Sequence, residues 1–363
     1  MERVDATRST YILPLRSHES RAHGELTDYL RWLAPRAETI VVDGSAPEIF
    51  AAHAARWGDL VRHVAPAPDL ATPMGKVGGV LTGLRLASHE RVIIADDDVR
   101  YDDEALTRIV DYLGDADVVR PQNYFTSLPW HACWDTGRTL LNRVYGGDWP
   151  GTLGVRRSIL QRTGGYDGRA MFENLELVRT VIAAGGRESV PLDLFVARHP
   201  PDAPHFLSQR VRQAYDEIAR PARLALQLSV LPLAVAIVRF SGWRALGVAA
   251  CVIALIAEVG RQRANGTRVF PAKASLFAPA WLAERAVGSW MALGARVFVG
   301  GVPYRGTVLR HAATPMRVLR ARHAAIHSDS TSTSIGLKLP LLESSAEHAV
   351  TPTTRSISAR SSR

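Results

Sequence analysis

The stretch IIADDDVR, residues 93–100, decides how this chain reads. A short apolar run of strand character ends in three consecutive carboxylates, Asp96, Asp97 and Asp98. Adjacent like charges repel, so such a cluster calls for a cation or for solvent, and open α/β sheets bind their ligands at strand carboxyl ends. Side chains alternate along an extended segment, which would point Asp96 and Asp98 the same way, as a hard divalent cation bridging diphosphate oxygens requires. A solvated turn or helix cap is the plain structural alternative.

Outward from this stretch, the amino-terminal half alternates β-type runs with longer amphipathic ones. YILPL (11–15), ETIVVDGS (38–45), LVRHVAP (60–66), RVIIADDD (91–98) and DVVRPQ (117–122) read as strands. Nearly continuous apolar runs such as TIVV fit strands covered on both faces, so the rhythm predicts βαβ units around a mostly parallel sheet. ETIVVDGS ends in Asp43, placed like the DDD cluster to accept hydrogen bonds from a ribose or base edge, or else to cap a helix. Between the two lies MGKVGGV (74–80), with Lys76 among glycines that would let backbone approach a phosphate. It is not a Walker A loop, because Leu70 and Val77 stand where that pattern needs Gly and Ser or Thr.

The composition is that of a globular protein. The 363 residues are 47% hydrophobic and 22% charged, with 44 Lys+Arg against 35 Asp+Glu. This excludes a disordered chain, a collagen-like repeat and a disulfide scaffold. Cys133 and Cys251 are far apart, so neither zinc spacing nor a disulfide framework is available, and a reducing compartment is expected. Only Lys76, Lys273 and Lys338 are lysines, so any single arginine is weak evidence in so arginine-rich a chain. Residues 305–363 carry six of the nine net positive charges. A tail of that kind suits anionic lipid better than nucleic acid, because it is Ser/Thr-rich, poor in aromatics and follows apolar helices.

After Pro221 the texture changes. LALQLSVLPLAVAIV (224–238) and ALGVAACVIALIA (245–257) are uncharged runs joined by six residues. Each is shorter than the ~20 residues of a usual span, and packed core helices are the alternative. Flanking arginines that snorkel, with Phe240 and Trp243 as an interfacial belt, favour a short membrane hairpin or re-entrant pair. Arg210, Arg212, Arg220 and Arg223 precede the first run and Arg261, Arg263, Arg268 and Lys273 follow the second, which places the catalytic half in the cytoplasm at the cell membrane. Residues 277–299, with Trp281, Trp290, Glu284 and Arg285, read as interfacial or packed on the hairpin. Three regions result: 1–220, an α/β domain; 221–310, apolar transmembrane or interfacial helices; and 311–363, a basic tail expected to be largely disordered.

Asp43, the Asp96-x-Asp98 pair, GTLGVRRSILQRTGGYDG (151–168) and FENLELV (172–178), in that order, resemble family-2 glycosyltransferases of the GT-A fold. QRVRQ (209–213) is similar to the Q-x-x-R-W motif of membrane-bound members such as cellulose synthases and ceramide glucosyltransferases, with Gln213 in place of the tryptophan. The resemblance covers residues 10–215. It implies an α/β, Rossmann-like nucleotide-diphospho-sugar transferase domain and inverting transfer of a sugar from a nucleoside-diphosphate donor to an acceptor hydroxyl. It further implies that Asp43 contacts the nucleoside, and that Asp96 and Asp98 serve the nucleotide and its Mg²⁺ or Mn²⁺ with Asp97 as spacer. Lys76 would neutralise the diphosphate, and Gln209 and Arg212 would hold the nucleotide-sugar. Related enzymes usually carry Glu-Asp where this chain has Glu173-Asn174, the aspartate being the base. An amide takes no proton, so Glu173 replaces it, or Asn174 only orients the acceptor, or activity is lost.

The apolar helices point to a lipid-linked or membrane-proximal glycan acceptor rather than processive polymer synthesis. Two rivals remain. A sugar nucleotidyltransferase would need a Gly-rich basic loop after the first strand, which LRSHESRAHGEL (15–26) lacks. A non-catalytic membrane scaffold would retain the fold with an impaired base.

Overall fold

The computed structural model describes residues 8–18, 24–304 and 307–330. In chain order the elements of the first domain are β1 (Ser9–Leu15), α1 (Gly24–Leu33), β2 (Glu38–Asp43), α2 (Pro47–Trp57), β3 (Arg62–Val64), α3 (Gly75–Leu86), β4 (Arg91–Ala95), β5 (Val99–Arg100) and α4 (Asp103–Tyr112). They continue with β6 (Val118–Val119), β7 (Gln122–Phe125), α5 (Trp130–Val144), β8 (Thr152–Arg156), α6 (Arg157–Arg162), α7 (Glu173–Ala183), β9 (Glu188–Ser189), β10 (Phe195–Arg198), α8 (Ala203–Ser208) and α9 (Arg210–Tyr215). The remainder is α10 (Pro221–Gln262), α11 (Ala278–Gly294), β11 (Val302–Tyr304), β12 (Thr307–Leu309) and α12 (Met316–Ser330).

Seven strands form one sheet in the order β3-β2-β1-β4-β8-β6-β9, and β5-β10-β7 form a second. Strands β1 to β4 are mutually parallel, whereas β8 runs antiparallel to both β4 and β6. The period-two pattern of β1 sorts its side chains between two cores. Tyr11, Leu13 and Leu15 meet Val41, Ile93 and Leu30 on one face; Ile12 meets Ile40, Val92, Val80 and Val178 on the other. The alternating βα rhythm thus produces an α/β domain, with β1 as the point from which the chain builds in both directions. At such a switch the carboxyl ends of neighbouring strands diverge and leave a crevice. Asp43 ends β2 and Asp96 follows β4, on that same edge.

The glycines after Lys76 have a different use from the one expected. A Cβ at Gly83 would lie 2.5 Å from Ile12, one at Gly79 3.1 Å from Pro14, and one at Gly78 2.6 Å from the Leu70 carbonyl. They let α3 lie flat against β1 and its neighbouring loop, so close helix–sheet packing, rather than phosphate approach, requires them.

The two apolar runs form α10, which is helical through the expected loop and broken only at Gly242 (φ 79, ψ 174). A straight helix from 223 to 260 would span roughly 55 Å. Yet Arg223 Nη1 donates to Asn142 Oδ1 at 2.8 Å, and Arg143 Nε donates to the Gly260 carbonyl at 3.1 Å. Both ends of α10 therefore meet the last turn of α5, and the chain doubles back at Gly242, where an L side chain would be strained. The arms expose Leu226, Leu233, Val235, Val248 and Leu255, and the tip exposes Phe240 and Trp243. α11 packs against the base of the first arm, where Ser289 donates to Gln227 at 2.8 Å and Trp290 to the Leu228 carbonyl at 3.2 Å.

Within the expected 311–363 region, α12 spans Met316–Ser330. Met171 N and Phe172 N donate to the carbonyls of His311 and Ala312, and α12 lays Leu319 and His323 in buried positions beside α7. These two residues, four apart, form the stripe that holds the helix on the domain. The Ser/Thr-rich residues 331–363 lie outside the described residues.

Candidate active site

The carboxylate cluster sits on a turn. β4 stops at Ala95, and Val99 N–H donates back to the Asp96 carbonyl at 3.1 Å. Asp96 and Asp98 do face one partner, but through this turn rather than through strand alternation, because the chain must reverse to enter β5. That partner is Arg198, the last residue of β10. Its Nε lies 2.8 Å from Asp98 Oδ2, and its Nη2 lies 3.7 Å from Asp96 Oδ2. Asp97 is the exposed corner. Asp98 Oδ1 is buried and has no hydrogen-bond partner among the described residues. Asp96 and Asp98 share one guanidinium while Asp98 Oδ1 stays uncommitted, so the turn offers the carboxylate oxygens that a hard divalent cation takes.

Lys76, on the first turn of α3, closes the other side. Its Nζ lies 2.6 Å from Asp96 Oδ1 and 2.8 Å from Glu173 Oε1. Burial works against the charged ammonium, but Asp96 and Glu173 outweigh it and raise the Lys76 pKa above its ordinary value. Glu173 is the first residue of α7, where the helix dipole also favours a negative charge. Asn174 donates from Nδ2 to the Pro150 carbonyl at 3.0 Å. The next residue, Gly151, has its carbonyl bound by Asp96 N at 2.9 Å, and a Cβ there would sit 2.8 Å from Asp96 Oδ2. Asn174 thus pins the loop that the acidic turn leans on, and only glycine leaves room for that approach.

Asp43 is enclosed. Its Oδ2 accepts from His53 Nδ1 at 2.6 Å and His63 Nε2 at 3.1 Å, and its Oδ1 accepts from Ser45 N at 2.9 Å. Burial alone would raise its pKa, but the hydrogen bonds from His63, Ser45 and His53 hold it well below the usual carboxylate range. The ligand atoms of Asp43, His53 and His63 lie within 4.8 Å of one another, a spacing that can also hold a metal ion. Trp57 stacks on His53 and Phe50 on His63, closing the cluster from the sides.

QRVRQ spans the junction of α8 and α9. Gln209 and Gln213 line a small cleft with Asp98, Arg198, Asp135 and His205. Arg212 is half-buried on the same helix and does not line that cleft. Arg210 is the arginine that turns inward, donating to Glu284 at 3.0 Å, to Gln213 at 3.0 Å and to Asp135 at 3.3 Å. His131 bonds the Pro201 carbonyl at 2.7 Å and packs against Trp130 and Phe206. The structure therefore brings Lys76, Asp96, Asp98 and Glu173 together, places Gln209 at the rim, and sets Asp43 apart in its own closed cluster. Sequence reasoning missed Arg198, His53, His63 and Arg210. Arg198 had a signal: a cation at the carboxyl end of the strand-like run LFVAR (194–198).

Residues 26–167 match the family model described as Glycosyl transferase family 2. No curated protein matches significantly. Similar solved structures include the mannosyltransferase PcManGT from Pyrobaculum calidifontis in complex with GDP-Man and Mn²⁺, at 18% identity over 90% of this chain and 86% of that one, with a TM-score of 0.44. A mycobacterial protein is also similar, at 18% identity over 58% of this chain and 74% of that one, with a TM-score of 0.39. With β2 to β4 and the acidic turn after β4 inside the matched residues, the chain is similar to family-2 glycosyltransferases over this stretch.

Proposed function

We propose that this domain moves a sugar, with inversion, from a nucleoside-diphosphate donor to an acceptor hydroxyl presented at a membrane surface. The observation that carries the reading is the convergence of Asp96, Asp98, Arg198, Lys76 and Glu173 within one chain of ion pairs. Asp98, through its bare Oδ1, and Asp96 would hold Mg²⁺ or Mn²⁺, which when bound supplies positive charge for the leaving diphosphate. Lys76 and Arg198 ion-pair with the acidic turn and are placed to exchange those carboxylates for phosphate oxygens. Glu173 ion-pairs with Lys76 at 2.8 Å, and this pair would align the donor sugar. Asn174 contributes by fixing the 150–151 loop. Gln209 and Arg212 would border the donor from the α8–α9 junction, and Asp43, fully enclosed, would meet a nucleoside only by exchanging one of its histidines.

The hairpin supports the membrane half of the reading. Each arm is about 20 residues, roughly 30 Å long, which matches the hydrocarbon core of a bilayer. Its most apolar window is only 6% buried, so the protein itself does not cover it. Arg239, Arg244, Phe240 and Trp243 at the tip suit the far interface, and the arginines at the base keep the catalytic body on the cytoplasmic side. The acceptor would then be a lipid-linked or membrane-proximal glycan.

The test is direct. Purified protein is incubated with uridine, guanosine, adenosine and thymidine diphosphate sugars, with and without Mn²⁺, in the presence of phospholipid vesicles. Release of free nucleoside diphosphate from one of them, dependent on Mn²⁺, is expected. Absence of both release and calorimetric binding across the panel would overturn the reading.

A further inference from the structure

Pro232 lies inside the first arm of α10 and has no N–H to give the Leu228 carbonyl its helical hydrogen bond. Trp290 of α11 supplies a donor in its place, Nε1 reaching that carbonyl at 3.2 Å. One residue earlier, Ser289 donates to Gln227 at 2.8 Å. The other end of α11 meets the second arm, since Ala278 shares a buried cluster with Ala257 and Leu140. Gln227 and Ala257 each lie about one turn above Arg223 and Gly260, the residues that join the arms to α5. α11 therefore crosses from one arm to the other near the base of the hairpin, instead of running along either.

The face it turns outward is apolar and basic. Val287, Trp290 and Met291 are about half exposed. A π-helical turn, Ala295–Val299, then leads to Gly300 at φ 78 and leaves Val297, Phe298 and Val299 outside, Phe298 at 88% exposure. Arg296 Nη1 donates across this bend to the carbonyls of Gly300 at 3.2 Å and Arg310 at 2.7 Å, which holds its shape and sets two exposed arginines beside it. Glu284, the acid of α11, is turned inward to Arg210. From 286 to 328 the sequence has six arginines and no Asp or Glu. An apolar ridge bordered by cations alone, and continuous with the exposed arms, matches the charge of an anionic phospholipid surface.

We propose that α11 and the 295–299 turn form a strap lying in the headgroup layer of an anionic bilayer, with Val297 and Phe298 among the upper acyl chains and Arg296 and Arg310 on lipid phosphates. The inference rests on the membrane reading of the hairpin. Leu228, which Trp290 grips, lies roughly 10 Å along the arm from Pro221, at the limit of the ~5–10 Å to which an interfacial helix buries its apolar face. Indole and phenyl rings beside arginine suit that depth. Crossing both arms, the strap sets how far they enter and so holds the catalytic body at a fixed height over the lipid.

The experiment uses the full chain in phosphatidylcholine vesicles with and without phosphatidylglycerol. Cys133 is buried and Cys251 is exposed on the second arm, so an NBD label attached to the folded protein reports that arm. In a Cys251→Ala background, Phe298→Cys moves the label to the strap and Ala51→Cys moves it to the exposed surface of α2. Emission from 298 should shift to the blue and be quenched by lipids carrying a nitroxide near the headgroup, more strongly with phosphatidylglycerol, while that from 51 stays as in water. Arg296→Gln with Arg310→Gln should remove most of the phosphatidylglycerol effect. Water-like emission at 298 beside a lipid-buried Cys251 label overturns this inference alone. So does quenching at 298 only by nitroxides deep in the acyl chains, which marks a span, or a blue shift that no lipid nitroxide quenches, which marks a protein partner. A phosphatidylglycerol effect that is absent, or untouched by the arginine changes, overturns the anionic-lipid assignment. Should Phe298→Cys not fold, Val297→Cys carries the same label. A Cys251 label that stays in water removes the membrane reading itself.

Discussion

Two acidic sites lie at the carboxyl ends of parallel strands of one sheet, and they are built on opposite principles. Asp43 is closed: histidines and a backbone amide saturate its carboxylate, and aromatic rings seal the sides. Asp96 and Asp98 are partly exposed and held by Lys76 and Arg198, with one oxygen left bare. A saturated carboxylate contributes stability, while a carboxylate ion-paired at a crevice can exchange its cations for a ligand. Position at a strand end makes a site available; the partners decide whether it is used for packing or for chemistry.

The sharpest way to break this contrast is at the open site. Asp98→Asn should abolish Mn²⁺-dependent nucleotide binding and lower turnover by about a thousandfold, read by calorimetry and diphosphate release, with thermal stability unchanged. Lys76→Met removes the cation shared by Asp96 and Glu173, and turnover should fall about 100-fold, chiefly in kcat. At the closed site the effect should move to stability. His53→Ala strips one partner from a buried carboxylate, with an expected loss of about 3 kcal/mol in urea unfolding and nucleotide release kinetics little changed.

A smaller, pH-dependent effect sharpens the same comparison. Glu25, held at about 2 by its bonds to Arg100, against the opposing effect of burial, and aided by His199, and Asp43, also depressed, both titrate below their unfolded values. Depressed carboxylates contribute stability above their unfolded pKa and lose it as pH falls through the folded one. The melting temperature should therefore decline from about pH 4.5 downward toward pH 2, and His53→Ala should flatten part of that slope. The smallest change is expected at the hairpin tip, where Gly242→Ala forces a side chain to φ 79 at a cost of about 1 kcal/mol, visible as weaker flotation with vesicles.

Much of this was legible before any coordinates. The strand runs of the amino-terminal half are strongly apolar and bounded by turn residues, so β1, β2 and β4 lie where their patterns put them. Lys76 was recognisable as one of only three lysines, and Asp96, Asp98 and Glu173 because they fall at motif-like spacing. Arg198 was not, since it is one arginine among 41 and acquires meaning only when β10 is laid beside β5. The hairpin was visible as two apolar runs, but its single-residue break was hidden, because helix continues through the polar residues and only Gly242 leaves the helical region.

Local pattern by itself determined the α/β class, the strand ends that carry acids and the apolar arms, because periodicity and charge act over a few residues. Only the tertiary structure decided that Asp43 is sealed and that Asp96 shares a lysine with Glu173. Those relations join residues 10 to 97 positions apart, and the field at a carboxylate is set by whichever groups folding brings within a few ångströms.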